Sequence, residues 1–194
     1  LPDYIKVFDF LKSVSPFVEV DEKLLSDFIR QSTIWNYRKG AIIVNQDDET
    51  DAVYFIYSGK VRFYLDDDQG HEITLNTLIE GQYFGEFALL SNYPRVAHVA
   101  AIADCVAIVS NKSIFMNSFG DCASVAWQVS INLANKIWAA SLNVSNLALL
   151  DAYSRVSRTL LKHAVEVNGE LVVNDLTHQE IANLIGASRE MVSR

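Results

Sequence analysis

The residues best suited to specific chemistry stand near the C-terminal end. Thr177-His178-Gln179-Glu180 has the form of a capping box, in which the Thr177 hydroxyl and the Glu180 carboxylate satisfy free amides at a helix start. Ala182 permits close approach of another helix, Gly186 supplies a tight turn, and Val192 returns an apolar side chain to the core. This is helix-turn-helix spacing. Ser188 is placed to cap the second helix, which puts Arg189, Glu190 and Ser193 or Arg194 on or near its exposed leading face, where base edges of a DNA major groove would lie. An arginine bonds O6 and N7 of guanine together, and a glutamate accepts from N4 of cytosine. An ordinary helical hairpin carrying a solvated Arg–Glu pair accounts for the same residues equally well.

Other chemistries find little support. Cys105 and Cys122 form no C-x-x-C pair, and His71, His98, His163 and His178 lack the spacing of metal ligands. Neither a disulfide framework nor a zinc or iron–sulfur site is expected, and a reducing cytoplasm fits best. No nucleophile–base pair stands out, so no catalytic residue is assigned and an enzyme is not expected. The acid clusters Asp47-Asp48-Glu49-Thr50-Asp51 and Asp66-Asp67-Asp68 fall between apolar runs and read as solvated turns, since the spacing of a calcium loop is absent. No stretch approaches the ~18 uncharged apolar residues of a membrane span. Leu1-Pro2-Asp3-Tyr4 does not resemble the start of a signal peptide.

The formal charge of −8 argues against a surface that grips nucleic acid everywhere. Residues 1–150 carry 11 basic and 18 acidic side chains, whereas 151–194 carry 5 and 6. Any DNA contact is therefore expected to be local to the C-terminal part.

The elements that must position these residues are legible in the periodicity. With 194 residues, half of them hydrophobic, the chain can build one sizeable core and one small one. Its first thirty-five residues space apolar side chains helically, as in Val7-Phe8, Phe10-Leu11 and Leu24-Leu25-Phe28-Ile29. From 34 to about 115, short β-branched and aromatic runs alternate with turn signals such as Lys39-Gly40, Ser58-Gly59-Lys60 and Asp68-Gln69-Gly70, which predicts an antiparallel sandwich or barrel. After Gly120, Leu133, Ile137, Ala140, Val144 and Leu147 recur as a heptad seam. A long helix pairing with a second copy is the favoured reading; burial against its own β-domain gives the same stripe. Asp151 is placed to cap a further helix over 152–164, and Asn168-Gly169 between β-formers predicts a tight hairpin.

Taken in order, several motifs resemble the Crp/Fnr family of transcription regulators, and among its members the catabolite activator (cAMP receptor) branch most. Gly81-Gln82-Tyr83-Phe84-Gly85-Glu86-Phe87-Ala88-Leu89-Leu90 followed by Pro94-Arg95-Val96-Ala97 resembles the phosphate-binding cassette of cyclic-nucleotide domains. Val53 to Val61 resembles a β-roll strand and turn, Asn146-Leu147-Ala148-Leu149-Leu150-Asp151 the hinge before the DNA domain, and the run from Gly186 to Arg194 the recognition helix.

The resemblance implies an α+β fold: a cyclic-nucleotide-binding antiparallel β-roll (a double-stranded β-helix, jelly-roll-like) with flanking helices over 1–120, a dimerisation helix and hinge over 121–150, and a winged helix-turn-helix over 151–194. The sequence ends at Arg194 within the expected recognition helix, so that domain is incomplete here. The implied ligand-binding set is Gly85, Glu86, Phe87, Ala88, Arg95, Val96, Ala97, Ala140 and Ser141. In it Arg95 pairs with the cyclic phosphate and Glu86 accepts from the ribose 2′-hydroxyl, while Gly85 and the amides after it let backbone approach an anion. The implied DNA-binding set is Thr177, Gln179, Ser188, Arg189, Glu190 and Arg194, on a pseudo-palindromic site. The dimer set is Leu133, Ile137, Ala140, Val144 and Leu147. A cyclic nucleotide, cAMP in the first instance, is the implied effector, no metal or other cofactor is expected, and RNA polymerase is a further candidate partner.

Three positions depart from the pattern. Ala140-Ser141 stands where the cAMP-binding branch has Thr-Ser, so a base-edge hydrogen bond is lost or moved and another effector becomes an alternative. His98 replaces a common Thr or Ser, and a packed or solvated role is expected for it. Asp47 replaces a turn glycine, which aspartate tolerates better than most residues. A nucleotide-binding module acting on a protein partner is the reading from another class, and the helix-turn-helix argues against it.

Overall fold

The computed structural model describes residues 2–91, 93–174 and 176–193, with Ala88 described by its backbone alone. The chain forms two compact units, one of residues 1–63 and 76–135 and the other of residues 64–75 and 136–194.

The first unit opens with helices α1 (Tyr4–Ser13) and α2 (Glu22–Gln31), started by the carboxylates of Asp3 and Asp21, which accept from backbone amides of the first turn. The strands follow as β1 (Thr33–Tyr37), β2 (Ile42–Val44), β3 (Ala52–Ser58), β4 (Lys60–Asp66), β5 (Glu72–Ile79) and β6 (Tyr83–Phe84). A five-residue helix, α3 (Glu86–Leu90), leads to β7 (His98–Ala101), β8 (Cys105–Asn111), α4 (Lys112–Phe119) and the 27-residue α5 (Ala123–Leu149). One four-stranded sheet has the order β1-β8-β3-β6 and is antiparallel at every pairing; the other has the order β2-β7-β4-β5. This two-sheet arrangement agrees with the antiparallel sandwich or barrel predicted from the short apolar runs and with the β-roll that the resemblance implies.

Strand β3 shows why the run Val53-Tyr54-Phe55-Ile56 is apolar throughout rather than alternating. Successive side chains point to opposite faces. Val53 and Phe55 enter a cluster built with the helices, including Phe17, Phe28, Phe115 and Phe119, whereas Tyr54 and Ile56 enter a second cluster with Val61, Phe84, Val99 and Ala107. Both faces of the strand are therefore buried. In the helical cluster Phe17 lies 5.0 Å from Phe55 and 5.1 Å from Phe119 between ring centroids, within the range of favourable aromatic pairs. Val125 and Val129 of α5 are buried, and Leu133 packs against the same cluster.

The second unit holds the remainder of α5, then α6 (Ala152–His163), the hairpin β9 (Val165–Val167) and β10 (Glu170–Val172), α7 (His178–Ile185) and α8 (Arg189–Ser193). Asp151 caps α6 by accepting from Ser154 N at 2.8 Å. Asn168 and Gly169 both take positive φ, 55° and 84°, as a type I′ turn requires. At the junction of α5 with α6, Arg155 donates to the Leu150 carbonyl at 2.9 Å and Arg158 to the Asn146 side chain at 2.6 Å. Among the described residues no helix is long and apolar enough to cross a membrane.

Candidate functional site

The cassette is built at the end of β6. Tyr83 and Phe84 pair with Phe55 and Tyr54 of β3, and the chain then turns through Gly85, at φ 98°, into α3. A β-carbon on Gly85 would stand 2.4 Å from the Ala52 carbonyl oxygen and 3.0 Å from Nη1 of Arg95. Only glycine fits there, on both backbone and steric grounds. Glu86 follows at 1% exposure, and Arg95 is 9% exposed. Two charged side chains thus lie inside the unit beside a stretch of bare backbone.

Arg95 is held from several directions. Its Nε donates to Thr50 Oγ1 at 2.7 Å, its Nη2 donates to the Ala52 carbonyl, and its guanidinium carbon lies 5.9 Å from the centre of the Tyr54 ring. The loop before β3 is laced to it by backbone: Asp47 N donates to Arg95 O at 2.8 Å, and Arg95 N to Asp48 O at 3.0 Å. Asp47 makes this loop with a φ of 64°, the left-handed conformation expected of a residue replacing a turn glycine. Burial lowers the Arg95 pKa from its ordinary value, against the opposing pull of Tyr54, Glu86, Asp48 and Asp51. An arginine starts high enough to stay cationic at neutral pH. Burial, with Glu86 nearby, pushes the Tyr83 phenol up. Such a cradle, a fixed cation beside a glycine turn, suits a small anion.

The other cassette residues divide into rim and support. Phe87, Leu90 and Val96 are exposed, Ala97 is buried, and Ala88 lies in α3. His98 has a packing role, its Nδ1 accepting from Gln46 N at 3.2 Å. Among the described residues no group of His, Cys, Asp and Glu is placed to hold a metal ion.

In the second unit, Ala140 and Ser141 are exposed on α5, and the Ser141 hydroxyl donates to the Ile137 carbonyl at 2.9 Å. Ile137, Val144 and Leu147 are exposed as well. Sequence reasoning missed Trp127 and Trp138, 68% and 69% exposed, which with Ile131 and Ala134 repeat the same four-three-four spacing on the helix.

The helix-turn-helix carries its full set of local devices. Thr177 N donates to Glu180 Oε2 at 2.7 Å while Glu180 N donates to Thr177 Oγ1 at 3.2 Å. Gly186 ends α7 at φ 63°, and the Met191 amide donates to Ser188 Oγ at 3.3 Å. Ile181, Ala182 and Ile185 are buried, and Arg189 and Glu190 are exposed. Hydrogen bonds from its own amide and from Ser188 hold the Glu190 carboxyl below its ordinary pKa, so it is an anion able to accept. Thr177 is committed to the cap, and Gln179 donates to Asn183 Oδ1 at 2.8 Å. Arg194 lies outside the described residues.

No local signal around this motif announces what covers its turn. The β4–β5 hairpin lies over it: Asn183 Nδ2 donates to Glu72 Oε2 at 3.3 Å, and a β-carbon on Gly186 would stand 2.9 Å from Ile73 Cδ1. Beside this contact is a cleft of about 460 Å³, lined by His71, Glu72 and the turn residues Gly186 to Ser188 among others. At the hairpin tip His71 Nδ1 and Asp67 Oδ2 are 2.9 Å apart.

Comparison with known proteins matches both regions. Residues 34–120 match the cyclic nucleotide-binding domain, and residues 175–194 match the crp family of bacterial regulatory proteins. The chain is 30% identical over 173 residues to the cAMP-activated global transcriptional regulator CRP of Escherichia coli O6:H1, covering 86% of this chain and 82% of that protein. The structure of the Thermus thermophilus catabolite activator protein is 28% identical and superposes with a TM-score of 0.60 over 92% of this chain and 84% of that one. The c-di-GMP responsive global regulator CLP of Xanthomonas campestris shares the fold with a TM-score of 0.76 at 22% identity, over 89% and 88% of the two chains.

Proposed function

This chain belongs to the crp family of bacterial regulatory proteins, and on that premise we propose that it is a cytoplasmic transcription regulator whose binding of cAMP governs its grip on DNA. The observation that carries the reading is the convergence of Gly85 and Arg95 on one carbonyl, which leaves a buried guanidinium facing bare backbone. In this reading Arg95 pairs with the cyclic phosphate, Glu86 accepts from the ribose 2′-hydroxyl, and the backbone from Gly85 to Ala88 and from Val96 to Ala97 closes round the ligand. Phe87 supplies an apolar rim.

Two copies pair along α5 through Ile137, Ala140, Val144 and Leu147, with Leu133 shared between the seam and the core of its own unit. Ligand drawn between cassette and long helix extends that seam and rotates the hinge near Leu150 and Asp151. The recognition helices of the dimer then stand about one DNA turn, ~34 Å, apart on a pseudo-palindromic site. Arg189, Glu190 and Arg194 read bases, and Thr177, Gln179 and Ser188 complete the DNA-binding set. RNA polymerase is the partner through which a bound dimer acts. Switching requires the ligand to bind this arrangement more tightly than the inactive one.

The test is calorimetric titration of the full-length protein with cAMP and then cGMP, with Arg95→Ala as control. Saturable cAMP binding lost in Arg95→Ala, together with cAMP-dependent DNA binding lost in Glu86→Ala, is the expected result. Unchanged ligand dependence in either variant sinks the proposal. A second reading keeps the regulator and changes the effector. It is favoured by Ala140, which has no hydroxyl, and by the Ser141 hydroxyl, whose proton is given to Ile137 O. Preference for another cyclic nucleotide or a cyclic dinucleotide over cAMP in competition supports it.

A further inference from the structure

Thr50 belongs to an acidic, exposed turn and has the look of a solvated spacer, yet its hydroxyl meets the buried cation of the cassette. Arg95 Nε donates to Thr50 Oγ1 at 2.7 Å, and two residues on, the Ala52 carbonyl accepts from Nη2 of the same guanidinium. Nε and Nη2 lie on one edge of the planar guanidinium, so Thr50 and Ala52 together occupy that edge. The remaining nitrogen, Nη1, stands on the Gly85 side, 3.0 Å from where a β-carbon of Gly85 would be. The loop that carries Thr50 cannot drift from the arginine, because the reciprocal backbone bonds of Asp47 and Asp48 with Arg95 tie the two segments together.

We infer that Thr50 is a positioning residue, which fixes the rotation of the Arg95 guanidinium so that one nitrogen is directed at one oxygen of a bound cyclic phosphate. The inference rests on the cyclic-nucleotide reading of the cassette and adds to it a residue outside the cassette. A long, flexible arginine held only at Nη2 can turn about that single bond and meet either exocyclic oxygen. Held at Nε as well, it presents a fixed donor. The hydroxyl acts on the direction of the charge and leaves its magnitude alone.

The readout is therefore stereochemical as well as energetic. Titration of the full-length protein uses cAMP, cGMP and the two phosphorothioate diastereomers of each, in which sulfur replaces one or the other exocyclic oxygen. Wild type is expected to prefer one diastereomer. Thr50→Val is expected to bind the parent nucleotide about tenfold more weakly, as loss of a hydrogen bond to a charged group implies, and to lose most of the preference between diastereomers. Thr50→Ser should restore both, and Thr50→Ala should behave as Thr50→Val does. Removing the hydroxyl takes the partner from a buried Nε, so Thr50→Val and Thr50→Ala are expected to melt somewhat below wild type and Thr50→Ser with it, and the diastereomer preference is the readout that a mere loss of stability would not move. Unchanged affinity and preference in Thr50→Val, weakened affinity with the preference intact, no preference in wild type, or failure of Thr50→Ser to restore binding overturns the role of Thr50 while leaving the cassette reading in place. Absence of any cyclic-nucleotide binding by wild type overturns the cassette reading, and the role of Thr50 with it.

Discussion

Gly85 and Arg95 meet at a single atom: the Ala52 carbonyl oxygen accepts from the Arg95 guanidinium and lies 2.4 Å from where a β-carbon on Gly85 would stand. Gly85→Ala should therefore strain the backbone, whose φ of 98° costs an L-residue about 1–2 kcal/mol, and displace the carbonyl that anchors the arginine. A lower unfolding midpoint and loss of cyclic-nucleotide binding are expected together. A variant that melts with wild type and binds normally would show that the turn has room.

The hairpin over the helix-turn-helix makes a second expectation. Glu72→Ala removes the acceptor of Asn183 Nδ2 and leaves Ile73 as the main cover of the turn at Gly186. Amides of residues 186–188 should then exchange with solvent about threefold to tenfold faster, as for loss of one net hydrogen bond, while those of β3 stay protected. Equal acceleration across the chain would mean a global loss of stability instead.

The caps carry a pH dependence with a defined sign. Hydrogen bonds from Ser154 hold the Asp151 carboxyl below its ordinary 3.8. A carboxyl depressed in the folded state contributes stability above the unfolded value and loses it as pH falls through the folded one. Asp151→Asn should lower the unfolding midpoint near neutral pH, and the gap from wild type should close as pH falls below the ordinary carboxyl value. A gap that does not change with pH would assign the effect to packing.

The two cysteines should be separable by alkylation. Burial pushes the Cys105 thiol up to about 11, whereas hydrogen bonds from Ser124 and Val125 hold the Cys122 thiol below its ordinary value. Since the thiolate is the nucleophile, iodoacetamide at about pH 8 should label Cys122 first. Mass mapping that finds Cys105 labelled at the same rate would mean that the β8 core opens readily.

Local devices were the legible part of this chain. The Thr177–Glu180 box, the Asp151 cap, the Asn168-Gly169 turn and the strand runs can be read in advance because each is decided by residues within a few positions of one another. The cassette could be recognised for a different reason, its likeness to a family. Contacts between distant segments left no such trace. Thr50 looks like one more polar turn residue until β3 and Arg95 are brought together, and nothing near Asn183 announces Glu72, 111 positions away in sequence. On α5 the heptad seam was visible, but a stripe alone cannot say which residues face the chain's own core. Leu133 packs there, and Trp127 and Trp138 add a neighbouring apolar stripe that the chosen frame passed over.

Strand β3, buried on both faces, begins at the residue whose carbonyl grips Arg95. The anchor of the proposed anion site is thus rooted in the two clusters that hold the unit together, and the same contacts fix its shape. Capture can proceed as docking into a finished mould, with little configurational freedom surrendered by the receptor and the binding energy left over for whatever moves next.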